Sequence, residues 1–291
     1  MKVLLTGASG FIGQHVYRQL LEDGIETFVL GRTKPDNCAT EMFVQADLIS
    51  ECSFGETLSS IGATHLIHLA WYTEHGKYWT SQVNLQWKDA SVKLVEDFCA
   101  TKPEKVIMAG TCAEYDWSHA LCIEDSTPIL PSSVYGMAKD ETRRLSAIVC
   151  ENRGVDFAWA RIFLPFGSGE DRKRLVPSLI EVFRGKREPF GINTAASRDF
   201  LHVADVATGI VALLGEEAVG VYNICSGEAI ILEGLVRKIA TFCKAEADLV
   251  LDLSTARPYE PDSIVGSNEK LKRLGWAAST PKFDIVDWNS D

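Results

Sequence analysis

The chain has 291 residues, 46% of them hydrophobic and 24% charged, the composition of a globular protein with room for one α/β domain and a smaller attached lobe. Its 40 acidic and 29 basic residues give a net charge of −11, which disfavours a general nucleic-acid or anionic-membrane binder but leaves phosphate ligands open, since one arginine or a helix start can hold them. No apolar run is long enough to span a bilayer, and the apolar start Met1–Leu5 runs into a glycine motif instead of forming a signal peptide, so the expected location is the cytoplasm.

In chain order, Lys2–Leu5 reads as a buried strand and Phe11–Asp23 as a helix with Ile12, Val16, Leu20 and Leu21 at helical spacing, closed by Gly24. Strands are expected at Thr27–Leu30, Met42–Ala46 and His65–Leu69, and a long helix within Trp79–Thr101. Lys105–Ala109 is a fifth strand, Pro131–Ser133 starts a helix that runs to about Asn152, and Val155–Ala160 is a sixth strand. This alternation implies βαβ units and a doubly wound, mostly parallel α/β sheet of Rossmann type. Past Arg161, prolines and glycines punctuate irregular stretches, but Val219–Ile224 reads again as a strand. The expected division is a dinucleotide-binding domain of residues 1–164 plus about 199–225, and a smaller substrate lobe of about 165–198 plus 226–291.

The eight cysteines (Cys38, Cys52, Cys99, Cys112, Cys122, Cys150, Cys225 and Cys243) contain no CxxC pair and read as reduced thiols. The six histidines lack metal-ligand spacing, so no metal is expected.

The segment Thr6-Gly7-Ala8-Ser9-Gly10-Phe11-Ile12-Gly13 lies between the first strand and the first helix. There Gly7 permits a tight turn, Gly10 lets the backbone approach a pyrophosphate, Gly13 allows close helix–strand packing, and the free N–H groups of the helix start face the phosphates. Where an NAD-selective fold has a carboxylate ending its second strand, this chain has Gly31 followed by Arg32, whose guanidinium can take a 2′-phosphate; NADP(H) is therefore favoured over NAD(H). Arg32 as a plain surface charge, or stacked on the adenine of NAD, is the competing reading. Asp47 either contacts the adenine or caps a local turn.

Tyr135 and Lys139 stand four residues apart, on one helix face. An ammonium beside a phenol favours the phenolate and lowers a pKa that is otherwise about 10, and Lys139 can also hold the nicotinamide ribose. A third partner belongs at the carboxyl end of the preceding strand, where Thr111 is the candidate to hydrogen-bond a substrate carbonyl; a turn-capping hydroxyl is the alternative.

With these motifs the chain resembles the extended short-chain dehydrogenase/reductases that modify nucleotide sugars, over nearly its whole length. Thr6–Gly13 is similar to TGxxGxxG, and Thr111, four residues before Tyr115, to the Ser/Thr of SSxxVYG; Tyr135 and Lys139 match the catalytic pair. His68-Leu69-Ala70 resembles the segment after the fourth strand, and Asn84 a structural asparagine in the next helix. Arg161–Gly167 resembles LRxxNVYGPG with Leu164 in place of the Asn, Arg198–Ala207 resembles RDFIHVDDVA, and Arg257-Pro258 and Leu274-Gly275-Trp276 resemble RPG and LGW elements. The resemblance implies a catalytic set Thr111, Tyr135 and Lys139. It implies a cofactor site of Thr6, Gly7, Gly10, Phe11, Ile12, Gly13, Arg32, Asp47, Leu48, Leu69 and Ala70 together with Tyr135 and Lys139, and Arg198 and Arg257 on a substrate diphosphate. A structural ion pair to Asp199 or Glu260 is the plainer reading of those arginines. It also implies a homodimer through the two long helices.

The 4,6-dehydratases of this group carry Asp-Glu after the catalytic Thr, where this chain has Cys112 and Ala113, with Glu114 one residue late. The epimerase-reductases that make GDP-fucose have a Cys two residues before the Tyr, here Ala113. The expectation is therefore NADPH-dependent reduction of a nucleotide-linked 4-keto-6-deoxyhexose, with Trp71, Tyr72, Trp79 and Trp117 as candidates to line the sugar pocket. The alternatives are an NAD-dependent nucleotide-sugar 4-epimerase and, from another class, a non-catalytic dinucleotide-binding regulator.

Overall fold

The computed structural model describes residues 1–51, 53–256 and 260–280. Its strands in the first part of the chain are β1 (Lys2–Thr6), β2 (Glu26–Gly31), β3 (Phe43–Gln45), β4 (His65–His68), β5 (Lys105–Thr111) and β6 (Asp156–Ile162). The helices between them are α1 (Phe11–Glu22), α2 (Gly55–Ile61), α3 (Val83–Ala100) and α4 (Val134–Arg153). There follow β7 (Leu164–Phe166), α5 (Leu175–Phe183), β8 (Ser197–Arg198), β9 (Phe200–His202), α6 (Val203–Ala212), β10 (Gly220–Ile224), β11 (Ile230–Ile231), α7 (Leu232–Cys243), α8 (Asp248–Leu251), β12 (Ser263–Ile264) and α9 (Glu269–Lys272).

The main sheet has seven strands in the order β10-β6-β5-β4-β1-β2-β3, every neighbouring pair parallel. A parallel sheet must be covered on both faces, which is why its strands are continuous apolar runs. Successive residues of β1 face opposite layers: Val3 and Leu5 join Val16 and Leu20 of α1 and Val206 and Ile210 of α6 in one cluster. Leu4 instead joins Leu58 of α2, Leu94 and Phe98 of α3 and Cys150 of α4. This is the Rossmann-type three-layer arrangement expected from the alternation, and the strand read at Val219–Ile224 does return to the sheet beside β6.

The structure refines the sequence reading at three places. The helix expected within Trp79–Thr101 does lie inside that range and begins at Val83, where Asn84 uses its side chain to gather the preceding loop. Helices α2 and α6 carry no signal that the apolar spacing singled out. Strand β5 runs on to Thr111, two residues past the expected end.

A separate cluster is built from β7, α5, β9, α7 and α8: Phe166, Val176, Leu179, Phe183, Phe200, Leu235, Val236, Ile239 and Val250. It is fastened to the sheet edge by Asp199, which is fully buried. Its Oδ1 accepts the Ser226 N–H at 2.8 Å and the Ser226 hydroxyl at 2.6 Å, and its Oδ2 accepts the N–H groups of Gly227 at 3.0 Å and Gly266 at 3.2 Å. Among the described residues no helix is long and apolar enough to cross a membrane, and no group of three or more His, Cys, Asp or Glu is arranged to hold a metal ion.

Candidate active site

A cleft of about 290 Å³ opens at the carboxyl ends of β1, β2 and β4, where open α/β sheets bind ligands. Ten of the residues expected at the cofactor line it: Gly7, Gly10, Phe11, Ile12, Gly13, Arg32, Asp47, Leu48, Leu69 and Ala70. Thr6 lies beneath it instead, fully buried, its hydroxyl 2.7 Å from His68 Nδ1.

The glycines suit a dinucleotide. Gly7 has φ +76°, and a Cβ there would lie 2.6 Å from Ala70 N; a Cβ at Gly13 would lie 1.9 Å from the Gly7 carbonyl oxygen. Both turns therefore admit only glycine. Gly10 caps α1 without a side-chain bond, so the first N–H groups of that helix stay free for an anion. At Gly31 a Cβ would meet nothing within 4 Å, and Arg32 beside it is exposed at the cleft. Asp47 Oδ1 accepts the Ile49 N–H at 3.1 Å, the turn-capping contact, while the residue also lines the cleft.

The Tyr-Lys pair adjoins this cleft through its wall. Ser133 caps α4 by accepting the Gly136 N–H at 3.0 Å, which puts Tyr135 in the first turn. A Cβ at Gly136 would come within 2.4 Å of the Ala113 carbonyl, so α4 packs directly on the turn that follows Thr111. The Thr111 hydroxyl accepts the Ala113 N–H at 3.2 Å, the turn-capping contact, and lies near enough to the Tyr135 phenol to act on its pKa. Lys139 is buried; its Nζ donates to the Ala109 carbonyl at 2.8 Å and lies 3.8 Å from the centre of the Trp71 ring. Ala109 and Trp71 are themselves part of the cleft wall.

The expected lowering of the Tyr135 pKa by Lys139 is not what this geometry gives. Burial, and then the neighbouring Tyr78 phenol, raise it, and the Thr111 hydroxyl opposes them. Burial takes Lys139 down to about 7, against the pull of Glu114. The physical reason is that desolvation penalises the charged form of both groups, while the ammonium is turned to a carbonyl and an indole. His68 is held neutral, lowered to about 3 by burial and by Lys139.

Of the aromatic candidates, Trp79 is 5.8 Å edge-on from the Tyr135 ring and 6.1 Å from Trp117, and Trp71 covers Lys139. Tyr72 is turned away, donating its hydroxyl to Glu74 at 3.0 Å. Tyr78, which the sequence reading passed over, is edge-on to Tyr135 at 4.9 Å.

A second cavity of about 430 Å³ is lined by His75, Lys173, Ser178, Arg187, Phe190, Arg198 and Glu260 among others. Arg198 is buried there with Nη2 on Glu260 at 3.0 Å and Nη1 on the Ser197 and Pro261 carbonyls at 2.8 and 3.0 Å. The ion pair to Glu260 is thus present, while Asp199 is engaged by the Ser226, Gly227 and Gly266 donors given above. Arg257 lies outside the described residues. Lys173, Arg187 and Phe190 were missed because they fall in the irregular stretch, where no periodicity marks which side chains converge; Arg187 sits 5.2 Å over the Phe190 ring.

A glycine turn feeding a helix start, beside a Tyr-Lys pair at the end of a parallel strand, defines an α/β dinucleotide enzyme. The model of the NAD dependent epimerase/dehydratase family matches residues 3–225, and the chain belongs to that family, an NAD(P)-dependent enzyme of the extended short-chain dehydrogenase/reductase type. It is 23% identical to a UDP-glucose 4-epimerase of Halalkalibacterium halodurans, covering 99% of this chain and 95% of the relative, and 27% identical to that of Yersinia pestis, covering 96% and 93%. Among solved structures it superposes on MoeE5 in complex with UDP-glucuronic acid and NAD with a TM-score of 0.81, at 24% identity, over 97% of this chain and 95% of that one. It superposes on the Thermus thermophilus UDP-glucose 4-epimerase complex with NAD with a TM-score of 0.79, at 20% identity, over 97% and 95%.

Proposed function

We propose that this protein is a nucleotide-sugar 4-epimerase that inverts the C4 hydroxyl through a transient 4-keto sugar. The observation that carries the reading is the nearness of Thr111 to Tyr135, beside Lys139 in the wall of a glycine-turn cleft; the relatives' names favour epimerisation over the net 4-ketoreduction expected from the sequence. The glycine turn, the α1 start, Asp47, Leu48, Leu69 and Ala70 would hold the dinucleotide, which when bound accepts and returns hydride. In its ionised form Tyr135 would take the proton of the C4 hydroxyl and give it back to the new alkoxide, with Thr111 placed to hydrogen-bond the same oxygen; the positive charge of a bound oxidised dinucleotide, with Lys139 next to it, would have to offset the burial that holds the phenol protonated here. Arg198, Lys173 and Arg187 offer positive charge to a nucleoside diphosphate in the second cavity, with Arg257 as a further candidate. In this reading the two-segment lobe of about 165–198 and 226–291 carries that cavity.

The second reading, an NADPH-dependent 4-ketoreductase, is favoured by one observation: no carboxylate stands at Gly31, and Arg32 faces the cleft with room for a 2′-phosphate. The experiment that separates them strips the protein of nucleotide and compares thermal stabilisation by NADPH, NADP⁺, NADH and NAD⁺. The same protein is then incubated with UDP-glucose or UDP-glucuronic acid and the C4 epimer is sought by anion-exchange chromatography. NAD selectivity with epimer formation supports the first reading; selectivity for the phosphorylated pair, with no epimer, supports the second.

The outward sides of α3 and α4 expose Leu85, Met137, Leu145 and Ile148. This supports a homodimer through those helices, and a monomeric mass by light scattering would contradict it.

A further inference from the structure

Among the described residues, no carboxylate pairs directly with Lys139. Its ammonium donates to the Ala109 carbonyl at 2.8 Å, and its open side is closed by the Trp71 ring, whose centre is 3.8 Å away. Trp71 is itself fixed: its Nε1 donates to Asn84 Oδ1 at 2.8 Å, and Asn84, fully buried, spends its amide nitrogen on the Tyr78 and Ser81 carbonyls at 2.6 and 2.9 Å. One asparagine therefore sets both the indole over Lys139 and the loop that carries Tyr78 and Trp79 onto Tyr135. A ring face carries the negative lobe of the aromatic quadrupole, and its attraction for a cation grows when water is removed.

We propose that Trp71 is a positioning residue for Lys139: its indole face serves as the counter-group that keeps the ammonium charged and aimed at the boundary between the cofactor cleft and Tyr135. The inference rests on Lys139 acting at the reactive site as proposed above. The groups with a charge or a titrating proton around Lys139 are Glu114 in the turn after β5, His68 on β4 and Tyr135 on its own helix. Glu114 draws the lysine toward the charged form, whereas His68 is neutral and Tyr135 protonated near neutral pH, so neither supplies a counter-charge. Trp71 fills that gap from the cleft side. Because it also lines the cleft, a dinucleotide that enters touches the indole before it reaches the lysine.

The test reads the lysine directly. Competitive acetylation of Lys139 across pH, followed by mass spectrometry, reports its titration midpoint, since only the neutral amine reacts. Wild type and Trp71→Phe, which keeps a ring face, should titrate together near neutrality, whereas Trp71→Leu should titrate at least one pH unit lower. Trp71→Met, which has no π face but a longer, unbranched chain that adapts to irregular space, serves if the leucine variant does not fold. An unchanged midpoint in the Leu or Met variant overturns the proposal. This readout needs no turnover, so it stands apart from the function assigned above. If turnover is found, the alkaline limb of kcat should move to lower pH in the Leu variant by the same interval, with KM for the nucleotide sugar unchanged. A pH-independent loss of kcat would mean that the indole only packs, and would also overturn it.

Discussion

Glu114 Oε1 accepts the backbone N–H of Thr111 at 2.8 Å from a position with no solvent exposure. The same carboxylate accepts a hydrogen bond from Trp159 Nε1–H at 3.0 Å and, through Oε2, one from Arg161 Nε–H at 2.7 Å. It therefore holds the end of β5 against β6 just where the candidate site begins. A buried ion pair broken on one side leaves a stranded charge, which costs about 3–5 kcal/mol. Glu114→Gln should lose stability on that scale in urea unfolding, and Glu114→Leu combined with Arg161→Met should recover most of it. Equal stability of Glu114→Gln and wild type would show that Arg161 finds another partner.

Tyr135→Phe removes the group to which the proposed function gives the proton transfer and keeps the ring that packs on Tyr78 and Trp79. Turnover should fall by at least about 100-fold, the lower end of what a positioned acid–base group contributes, while dinucleotide binding measured by thermal shift stays within about twofold. Undiminished turnover would remove Tyr135 from the mechanism.

Lys139 gives a pH dependence of stability with a definite sign. Its pKa is about 7 in the folded protein against an ordinary lysine value of 10.5. Between those values the unfolded chain binds more protons, so this group makes stability rise with pH across that window, and its burial cost is fully present below pH 7. Lys139→Met should accordingly be more stable than wild type at pH 6, on the order of a few kcal/mol, with the advantage fading as pH approaches 10. A stability difference that does not vary with pH would contradict the burial of the ammonium.

Glu170 behaves in the opposite sense. Its Oε2 is buried with no hydrogen-bond partner among the described residues, and burial raises its pKa to about 8 against the pull of Arg174. Here the folded state binds more protons between the ordinary glutamate range and pH 8, so stability falls as pH rises through that interval. Glu170→Gln should remove this fall, which melting curves at pH 5 and pH 8.5 would reveal.

Much of the fold and of the cofactor cleft was legible in the sequence because both rest on local signals. Continuous apolar runs mark buried parallel strands, and glycines at Gly7 and Gly13 mark turns where a Cβ has no room. That Thr111, Tyr135 and Lys139 lie near one another was legible by motif spacing, and their roles belong to the proposed function. The loop from Trp71 to Gln82 was not, because its shape is set by Asn84 side-chain bonds that no periodicity encodes. The protonation states were likewise out of reach: that Lys139 meets an indole, with Glu114 engaged by Arg161, depends on residues far apart in the chain. The convergence of Lys173, Arg187 and Phe190 on one cavity is a property of tertiary packing alone.

The bonds to Asp199 bear on where this protein can be cut. The family match ends at residue 225, yet all four of the donors described above, from Ser226, Gly227 and Gly266, lie beyond it. A fragment that stops at the edge of the family match would keep every strand of the main sheet and lose all four of these donors to Asp199. The segment set off by ancestry therefore leaves out the partners of one of its own buried carboxylates, and a fragment of residues 1–225 should be less stable than the whole chain.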